Sequence, residues 1–353
     1  MPPRIALDAF GSDARPEPEL GALALAIAAG LEIDLVGDLE QLAGRLPSGA
    51  AERVRLVDAP DQITMDESPA RAVKTKPLAS LNVAIQRLAA GEVEAIVSAG
   101  NSGAILAAAL LGLGRISGVD RPAILTRFPH LGRAPREGSR GSTVVLDAGA
   151  NVDCRPLNLV QFAVMGSVYA SLAQARSRPR VALLSNGSEP SKGSALTRAS
   201  AKLLELHPSP DFEFIGYVEP TRLFDGACEV VVTDGWTGNL VLKSTEAAMA
   251  AWPRFLTRAL DADSNESASL RSTLRTLADE LDPDAHGGAP LIGVDGTVII
   301  CHGGASSRAL YNALALAQRS ATRGLVPALR AAIAAHRPLF DAARGSGSTS
   351  PTT

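Results

Sequence analysis

The segment TVVLDAGAN, residues 143–151, decides the fold, because an unbroken apolar run there ends in a turn of small and polar residues. A run without polar alternation is typical of a strand covered on both faces of a parallel sheet. Nine other segments share this pattern: RIALDA (4–9), IDLVG (33–37), VRLVDA (54–59), AIVSAG (95–100), AILTRF (123–128), RVALLSNG (180–187), FEFIGYV (212–218), EVVVTDG (229–235) and GTVIICHGG (296–304). Helical patterns separate them. The sequence therefore predicts one α/β domain over residues 1–342, a three-layer α/β/α sandwich with a mostly parallel sheet.

Composition narrows the function. The chain has 353 residues, 34 Lys and Arg against 37 Asp and Glu, and a formal net charge of −3. A DNA-binding protein would show a basic excess, so no nucleic-acid partner is expected. No run of 18 apolar residues occurs, so no membrane-spanning helix is expected. Three cysteines that lie far apart in the sequence favour a reducing compartment. The expected location is the cytoplasm.

Two segments depart from the alternation of strands and helices. Residues 244–281 are helical with a break at ADSNES (262–267), and Leu270, Leu274, Leu277 and Leu281 follow at helical spacing. This amphipathic pattern predicts a protruding helical hairpin, which either packs in the core or a dimer interface or touches a membrane. The tail at 343–353 is rich in Gly and Ser and is expected to be disordered.

Several familiar signatures are incomplete. GLGRIS (112–117) lacks the third glycine of a dinucleotide fingerprint, and GNSGA (100–104) lacks the last glycine of a nucleophile elbow. No paired Cys/His spacing indicates a metal site, so no metal is expected. Cys301 beside His302 is more typical of a small core residue than of a catalytic pair.

The informative feature is the position of the Gly, Asn, Ser and Asp clusters, which follow the strands. There are six: LDAFGSD (7–13), SAGNSGA (98–104), LDAGAN (146–151), SNGSEPSKGS (185–194), TDGWTGN (233–239) and HGGASSRA (302–309). Ligands bind outside the carboxyl ends of strands in open parallel sheets, and glycine-rich turns let backbone N–H groups reach anions. These clusters predict a pocket for phosphate or an acyl phosphate. Lys192 and Lys243 are the nearby cations, although either is also compatible with a solvated surface lysine.

These motifs, in this order, resemble those of the PlsX family of acyl-ACP:phosphate acyltransferases. LDAFGSD is similar to the family's DAMGGD, SAGNSGA to SAGNTGA, LDAGAN to LD-x-GAN and SNGSEPSKGS to NIGxExxKG. Residues 214–247 follow the pattern FIGNVEGxDLxxGxxDVVVxDGFxGNxxLKxxEG, and residues 287–314 follow GGAPLLGVxGxVIxxHGxSxxxAxxNAI. The resemblance covers residues 4 to 318.

The resemblance implies a fold related to phosphotransacetylases and isopropylmalate dehydrogenases. It also implies acyl transfer from a long-chain acyl carrier protein (ACP) to orthophosphate, yielding acyl phosphate for phospholipid synthesis without a dissociable cofactor. The implied partners are a second copy of the chain, ACP, the inner face of the membrane as a peripheral contact, and a downstream glycerol-3-phosphate acyltransferase.

Phosphate is already a nucleophile, so the site needs only to position it and to stabilise an oxyanion. The predicted catalytic residues are Lys192, which matches a family lysine, and Asn239. Backbone N–H groups of SAGNSGA and TDGWTGN are the expected oxyanion donors, and Asp8, Asp147 and Asp234 are expected to close three strands at one edge, where they orient donors or simply cap helices. The predicted phosphate- and substrate-binding residues are Asp8, Gly11, Asn101, Ser102, Gly103, Asp147, Asn151, Asp234, Gly238 and His302.

An acidic carrier protein needs a basic docking surface. Six arginines lie between positions 115 and 140 against only Asp120 and Glu137. Arg133 and Arg136, with Arg271 and Arg275 on the hairpin, are therefore predicted to bind ACP, although a solvated Arg-rich loop explains the same pattern. Three other functions compete: a short-chain phosphotransacetylase using acyl-CoA, a non-catalytic scaffold that binds ACP or membrane, and a dehydrogenase.

Overall fold

The computed structural model describes residues 2–130, 141–174, 176–262 and 287–345, and within these ranges eleven strands form one sheet. In chain order they are β1 (Arg4–Asp8), β2 (Glu32–Gly37), β3 (Val54–Asp58), β4 (Ala95–Ser98), β5 (Ala123–Pro129), β6 (Ser142–Leu146), β7 (Arg180–Leu184), β8 (Glu213–Val218), β9 (Val230–Val232), β10 (Ala289–Ile292) and β11 (Thr297–Ile300). Across the sheet the order is β3-β2-β1-β4-β11-β10-β5-β6-β9-β7-β8. All ten predicted strands are present, and β10 is the strand that the sequence pattern missed.

The sheet consists of two parallel halves that run in opposite directions. In the first half, β1 to β4 and β11 are mutually parallel, and in the second half β6 to β9 are. Strand β10 is antiparallel to β11 and to β5, and β5 is antiparallel to β6, so three reversals separate the halves. The prediction of a mostly parallel sheet is confirmed. The expectation that Asp8, Asp147 and Asp234 share one edge is wrong, because β1 runs opposite to β6 and β9.

Helices cover both faces of the sheet. Within the described ranges they are α1 (Glu17–Ala28), α2 (Leu39–Leu42), α3 (Ala50–Arg53), α4 (Pro69–Thr75), α5 (Ser80–Ala89), α6 (Ser102–Gly112), α7 (Pro156–Gln174), α8 (Ala195–Leu206), α9 (Gly235–Ala262), α10 (Ser307–Thr322), α11 (Leu325–Ala335) and α12 (Arg337–Gly345). Several begin at the polar clusters that follow strands. Ser194 and Ser306, for example, accept hydrogen bonds from the N–H groups of Thr197 and Ala309 and so cap α8 and α10.

Four apolar clusters form the core and establish the three layers. In the first half, α1 and α10 pack on one face of the sheet, and α4, α5 and α6 pack on the other. In the second half, α7, α8, α11 and α12 cover one face. The opposite face carries a smaller cluster, to which α9 and the 3₁₀ turn Pro220–Phe224 contribute apolar side chains. Strand β7 shows why an unbroken apolar run is needed here: Val181 and Leu183 face the large cluster, while Ala182 and Leu184 face the small one.

Helix α7 is long and apolar enough to span a membrane by length and hydropathy. Most of its residues, including Phe162 and Met165, are buried in the large cluster of the second half. Its composition is thus that of a central core helix.

The two segments predicted to depart from the sandwich are only partly described. Helix α9 continues to Ala262, so the first arm of the predicted hairpin is helical, while residues 263–281 lie outside the described residues. The predicted start of the disordered tail at Ala343 is wrong. Helix α12 extends through Gly345, and Ala343 is buried against the core because it falls on the apolar face of that helix.

Candidate active site

A cavity of 410 Å³ lies over the antiparallel strands, where the two halves of the sheet meet. One wall is apolar and includes Ile124, Phe128, Leu242, Met249 and Ile300. The polar and charged lining residues are Ser102, Thr126, Arg127, Asn239, Lys243, Thr245, Glu246 and His302. Each half of the sheet therefore contributes part of the same site, and the reversal of strand direction is what brings them together.

The first half contributes the N-terminus of α6. Asn101 caps this helix: its side-chain oxygen accepts the N–H groups of Gly103 (2.9 Å) and Ala104 (3.2 Å). Its amide nitrogen donates to the carbonyl oxygen of Met65 (3.0 Å). These bonds occupy the Asn101 side chain, whereas the exposed Ser102 lines the cavity. Asn101 therefore positions the helix, and Ser102 is the group of SAGNSGA that faces a ligand.

Asp8, Gly11 and His302 also belong to the first half. Asp8 is buried and accepts the hydroxyl groups of Ser80 and Ser98, both at 2.6 Å, and burial raises the pKa of its carboxyl group. Gly11 packs so closely that a Cβ would lie 2.8 Å from the Gly100 nitrogen. His302 is exposed on the cavity wall, and its Nδ1 accepts the Gly304 N–H at 3.2 Å. Of the three, only His302 faces the cavity.

The loop after β6 shapes the opposite wall. The buried Asp147 carboxylate accepts backbone N–H groups of Ile124, Gly149, Ala150 and Asn151 at 2.7–3.2 Å. The Asn151 side chain donates to Asp147 (2.8 Å) and to the carbonyl oxygen of Pro122 (2.7 Å). Burial raises the pKa of Asp147. Asp147 and Asn151 thus hold the loop whose Ala148 and Gly149 line the cavity.

Asn239 reaches the cavity from the second turn of α9. It is exposed, and its side chain makes no hydrogen bond with any residue that the structure describes. Gly149, at φ +137°, lies beside it, since a Cβ on Gly149 would be 3.6 Å from the Asn239 side chain. Gly238 packs onto Asp147, so that a Cβ there would meet the Asp147 carbonyl oxygen at 1.8 Å. Glycines on both sides of the contact bring Asn239 against the loop after β6.

The first turn of α9 differs from the expectation. Asp234 caps it by accepting the Thr237 N–H (2.8 Å) and the Thr237 hydroxyl (3.0 Å). The N–H of Gly235 donates to the Asn151 carbonyl oxygen, and that of Gly238 donates to Asp234. The expectation that the backbone of TDGWTGN supplies oxyanion donors is therefore wrong for these three N–H groups, because they already have partners. The donor of this motif that lines the cavity without a partner among the described residues is the Asn239 side chain.

Two cations line the cavity, and Lys192 is not one of them. Lys243 is there, paired with Glu246 at 2.8 Å, and so is Arg127 from β5. Arg127 is one of the six arginines between positions 115 and 140, whose charge predicted a docking surface. Its position within an unbroken apolar strand was the signal that set it apart from the others. Lys192 is exposed in the turn after β7 and packs across Gly187, where a Cβ would lie 2.8 Å from Lys192 Cγ.

The remaining predicted groups fall elsewhere. Arg133, Arg136, Arg271 and Arg275 lie outside the described residues. Within the described ranges, no group of three or more His, Cys, Asp or Glu side chains is placed to hold a metal ion.

The fold and this cavity define an α/β enzyme whose site combines an apolar wall with amide, hydroxyl and cationic groups. Solved structures with a similar fold are the EutD phosphotransacetylase from Staphylococcus aureus and a branched-chain phosphotransacylase from Enterococcus faecalis. The first has a TM-score of 0.55 and 16% identity, covering 91% of this chain and 94% of the other. The second has a TM-score of 0.56 and 14% identity, covering 90% and 98%. At such identities the similarity concerns the fold.

Sequence relatives give the family. A family model described as "Fatty acid synthesis protein" matches residues 3–327, and the chain belongs to this family, as the resemblance to PlsX proteins predicted. The phosphate acyltransferase of Desulforamulus reducens is 43% identical over 333 residues, 93% of this chain and 96% of that protein. That of Thermus thermophilus is 43% identical over 335 residues, 94% and 99%. The chain is thus an acyltransferase enzyme.

Proposed function

We propose that this enzyme transfers a long-chain fatty acyl group from acyl carrier protein to orthophosphate, producing acyl phosphate for phospholipid synthesis. The observation that carries the proposal is the cavity itself, in which apolar side chains lie beside Ser102, Asn239 and Lys243. A fatty acyl thioester needs the apolar surface, and phosphate needs the donors and cations. The names of the relatives, phosphate acyltransferases, agree with this assignment.

The reaction needs no covalent enzyme intermediate. A phosphate oxygen attacks the thioester carbonyl carbon and forms a C–O bond, and the C–S bond then breaks. The sulfur leaves as a thiol after taking up the proton that the phosphate loses. Negative charge develops on the carbonyl oxygen. A hydrogen-bond donor that reaches this oxygen lowers the activation free energy by about 3 kcal/mol.

Asn239 and Lys243 fit the two polar tasks. Asn239 is an uncharged donor without a competing partner among the described residues, which suits the oxyanion. Lys243 lies one helical turn further along α9, where its ammonium group can donate to phosphate if it exchanges the Glu246 carboxylate for the ligand. Ser102 at the N-terminus of α6 faces them from the first half of the sheet, in a position that favours anions.

The deciding experiment incubates the protein with palmitoyl-ACP and inorganic phosphate and measures free ACP thiol and acyl phosphate. We expect both products in equal amounts, and none without phosphate. The same assay with acetyl-CoA and palmitoyl-CoA tests the short-chain phosphotransacetylase. Faster turnover of acetyl-CoA than of palmitoyl-ACP would refute the long-chain assignment. If no acyl donor were turned over, the non-catalytic scaffold would be the remaining alternative.

The proposal also includes a cytoplasmic homodimer that contacts the inner face of the membrane peripherally. Exposed apolar side chains on α9 support such contacts: Trp236, Leu240, Trp252 and Phe255. Exposed apolar groups in this number on one helix mark an interaction surface. Ultracentrifugation tests the dimer, and flotation with anionic vesicles tests membrane contact. Both assays compare the wild type with the double variant Trp252→Ser, Phe255→Ser. Unchanged behaviour of the double variant in both assays would remove α9 from both interfaces.

A further inference from the structure

A second, smaller cavity of 140 Å³ lies between α7 and α10, with β5 beside it. Three arginines line it: Arg127 from β5, Arg319 from the last turn of α10, and Arg323 from the residue that follows α10. Leu172, Leu316 and Leu325 form its apolar frame. Arginines that converge on one cavity are unusual without a carboxylate, because like charges at short range repel each other.

Arg319 has no such partner. Its guanidinium group forms neither a hydrogen bond nor an ion pair with any residue that the structure describes. Although the residue as a whole is exposed, its surroundings remove part of its hydration, and this desolvation lowers its pKa; the Arg127 cation lowers it further. Arg319 is therefore a cation that the folded chain holds in unfavourable surroundings.

Arg323 is fixed in place by a different interaction. Its guanidinium donates to the carbonyl oxygens of Leu172 (2.9 Å) and Ala173 (3.3 Å) in the last turn of α7. These bonds satisfy carbonyl groups at a helix C-terminus and leave the positive charge uncompensated by any acid. The cavity therefore has a rigid cationic side.

The hydroxyl groups of two largely buried residues complete the lining. Tyr169 is 4% exposed and Ser320 is 7% exposed, and both line the cavity. Neither hydroxyl has a hydrogen-bond partner in the described part of the chain, and neither oxygen is among its buried atoms without a partner. Both hydroxyls therefore open into the cavity, where they can donate to a ligand that the arginines attract.

We propose that this cavity, through Arg319, Arg323, Tyr169 and Ser320, binds a phosphate group, either as inorganic phosphate or as the phosphate of a small organic ester. Planar guanidinium groups form paired, charge-assisted hydrogen bonds with tetrahedral oxyanions. The cavity exceeds the roughly 30 Å³ of one water molecule and has room for such a group. The site lies outside the proposed active site, although Arg127 lines both cavities.

The test is calorimetric titration with inorganic phosphate and, separately, with glycerol 3-phosphate. Arg319→Gln should weaken binding of the recognised probe at least tenfold, since it removes a charge-assisted contact. Tyr169→Phe, which removes only a hydroxyl, should weaken it less. Arg330→Gln is the matched control, because Arg330 is an exposed arginine on the neighbouring helix α11 and pairs with Asp295 in the turn between β10 and β11. Its isotherms should equal those of the wild type.

The outcomes are distinct. An effect of Arg319→Gln on both probes indicates that the phosphate group alone suffices, and an effect on glycerol 3-phosphate alone indicates an organic ester. If Arg319→Gln fails to fold, Tyr169→Phe provides the measurement. Superimposable isotherms of wild type and the variants for both probes would overturn the proposal. These titrations need no acyl donor, so they are independent of whether acyl transfer is observed.

Discussion

Gly238 packs against the carbonyl oxygen of Asp147 so closely that a Cβ at residue 238 would lie 1.8 Å from that oxygen. The contact joins the start of α9 to the loop after β6, the two elements that place Asn239 and Gly149 on the active-site wall. Because a main-chain oxygen cannot rotate away, one element must shift if any side chain is introduced. The geometry of the site thus depends on Gly238, although glycine has no side chain that could take part in the reaction.

Gly238→Ala should therefore reduce both stability and activity. Overpacking of this kind costs about 1–3 kcal/mol, and displacement of Asn239 should lower kcat as well. Thermal unfolding and steady-state kinetics measure the two effects. Gly345→Ala is a suitable control, since no atom lies within 4 Å of a Cβ at that exposed position. A Gly238→Ala enzyme with wild-type kcat would show that the contact does not position Asn239.

Asn239→Ala should lower kcat about a hundredfold, as expected for loss of one oxyanion donor. Its melting temperature should hardly change, because the exposed side chain has no partner in the described structure. Asn101→Ala is the informative comparison. It removes the α6 cap and should cost about 1 kcal/mol of stability. If Asn239→Ala instead lost stability and kept its turnover, Asn239 would be a structural residue.

The match of Lys192 to a family lysine predicts that Lys192→Ala loses most of its activity, and the exposed side chain predicts that the variant stays folded. The place of Lys192 outside the cavity lining predicts instead that turnover hardly changes. The parallel variant is Lys243→Ala, which removes the lysine that lines the cavity. Phosphate saturation curves for both variants locate the phosphate. Near-wild-type kinetics for Lys192→Ala together with a raised phosphate KM for Lys243→Ala would exclude Lys192 from the mechanism.

The buried carboxyl group of Glu19 should make stability depend on pH. Its Oε1 accepts the Ser12 N–H at 3.1 Å, its Oε2 has no partner, and burial raises its pKa from 4.5 to about 7. The folded state therefore binds this proton more tightly than the unfolded state does. The resulting stabilisation is fully present below pH 4.5 and is lost as the pH rises through 7.

Glu19→Gln keeps the acceptor and removes the titration, so its stability relative to wild type should rise between pH 5 and 8. The limit is about 3 kcal/mol, at roughly 1.4 kcal/mol per pKa unit. Urea unfolding at four pH values measures this difference, with Glu17→Gln on the same helix as an exposed control. Parallel stability curves for wild type and Glu19→Gln would show that Glu19 does not titrate in this range.

Charge reversal at Arg133 and Arg136 tests the docking of the acyl donor. Arg133→Glu with Arg136→Glu should raise the apparent KM for acyl-ACP and leave the phosphate KM unchanged, because surface charges act on encounter rather than on the pocket. The effect should fade with added salt. Unchanged acyl-ACP kinetics at low salt would shift attention to Arg271 and Arg275.

The sequence predicted ten strands because each is an unbroken apolar run, which only a doubly covered sheet requires. Strand β10 was not predicted because its four residues, Ala289–Ile292, include Pro290, and proline normally argues against an interior strand. The direction of each strand could not be predicted for a different reason. A strand buried on both faces shows the same apolar run in parallel and antiparallel pairing, so the reversals at β10 and β5 leave no local signal.

The site was predicted less completely, since Asn, Ser and Asp serve equally well as helix caps and as ligand contacts. Asn101, Asn151 and Asn239 all follow strands, yet hydrogen bonds within the protein occupy the first two. Which amide stays available depends on partners distant in sequence, such as Met65 and Pro122. The cavity-lining role of Arg127 likewise follows from the place of β5 in the sheet.

Strand β11 pairs with β4, and β10 pairs with β5, so the last strands of the chain fill the gap between two halves made earlier. During synthesis on the ribosome, β4 and β5 must each present an open edge until Ile300 has emerged. Open edges of apolar strands are the sites at which nascent chains associate wrongly. The active-site cavity, which lies over this junction, is thus completed only after residues 289–300 have been synthesised.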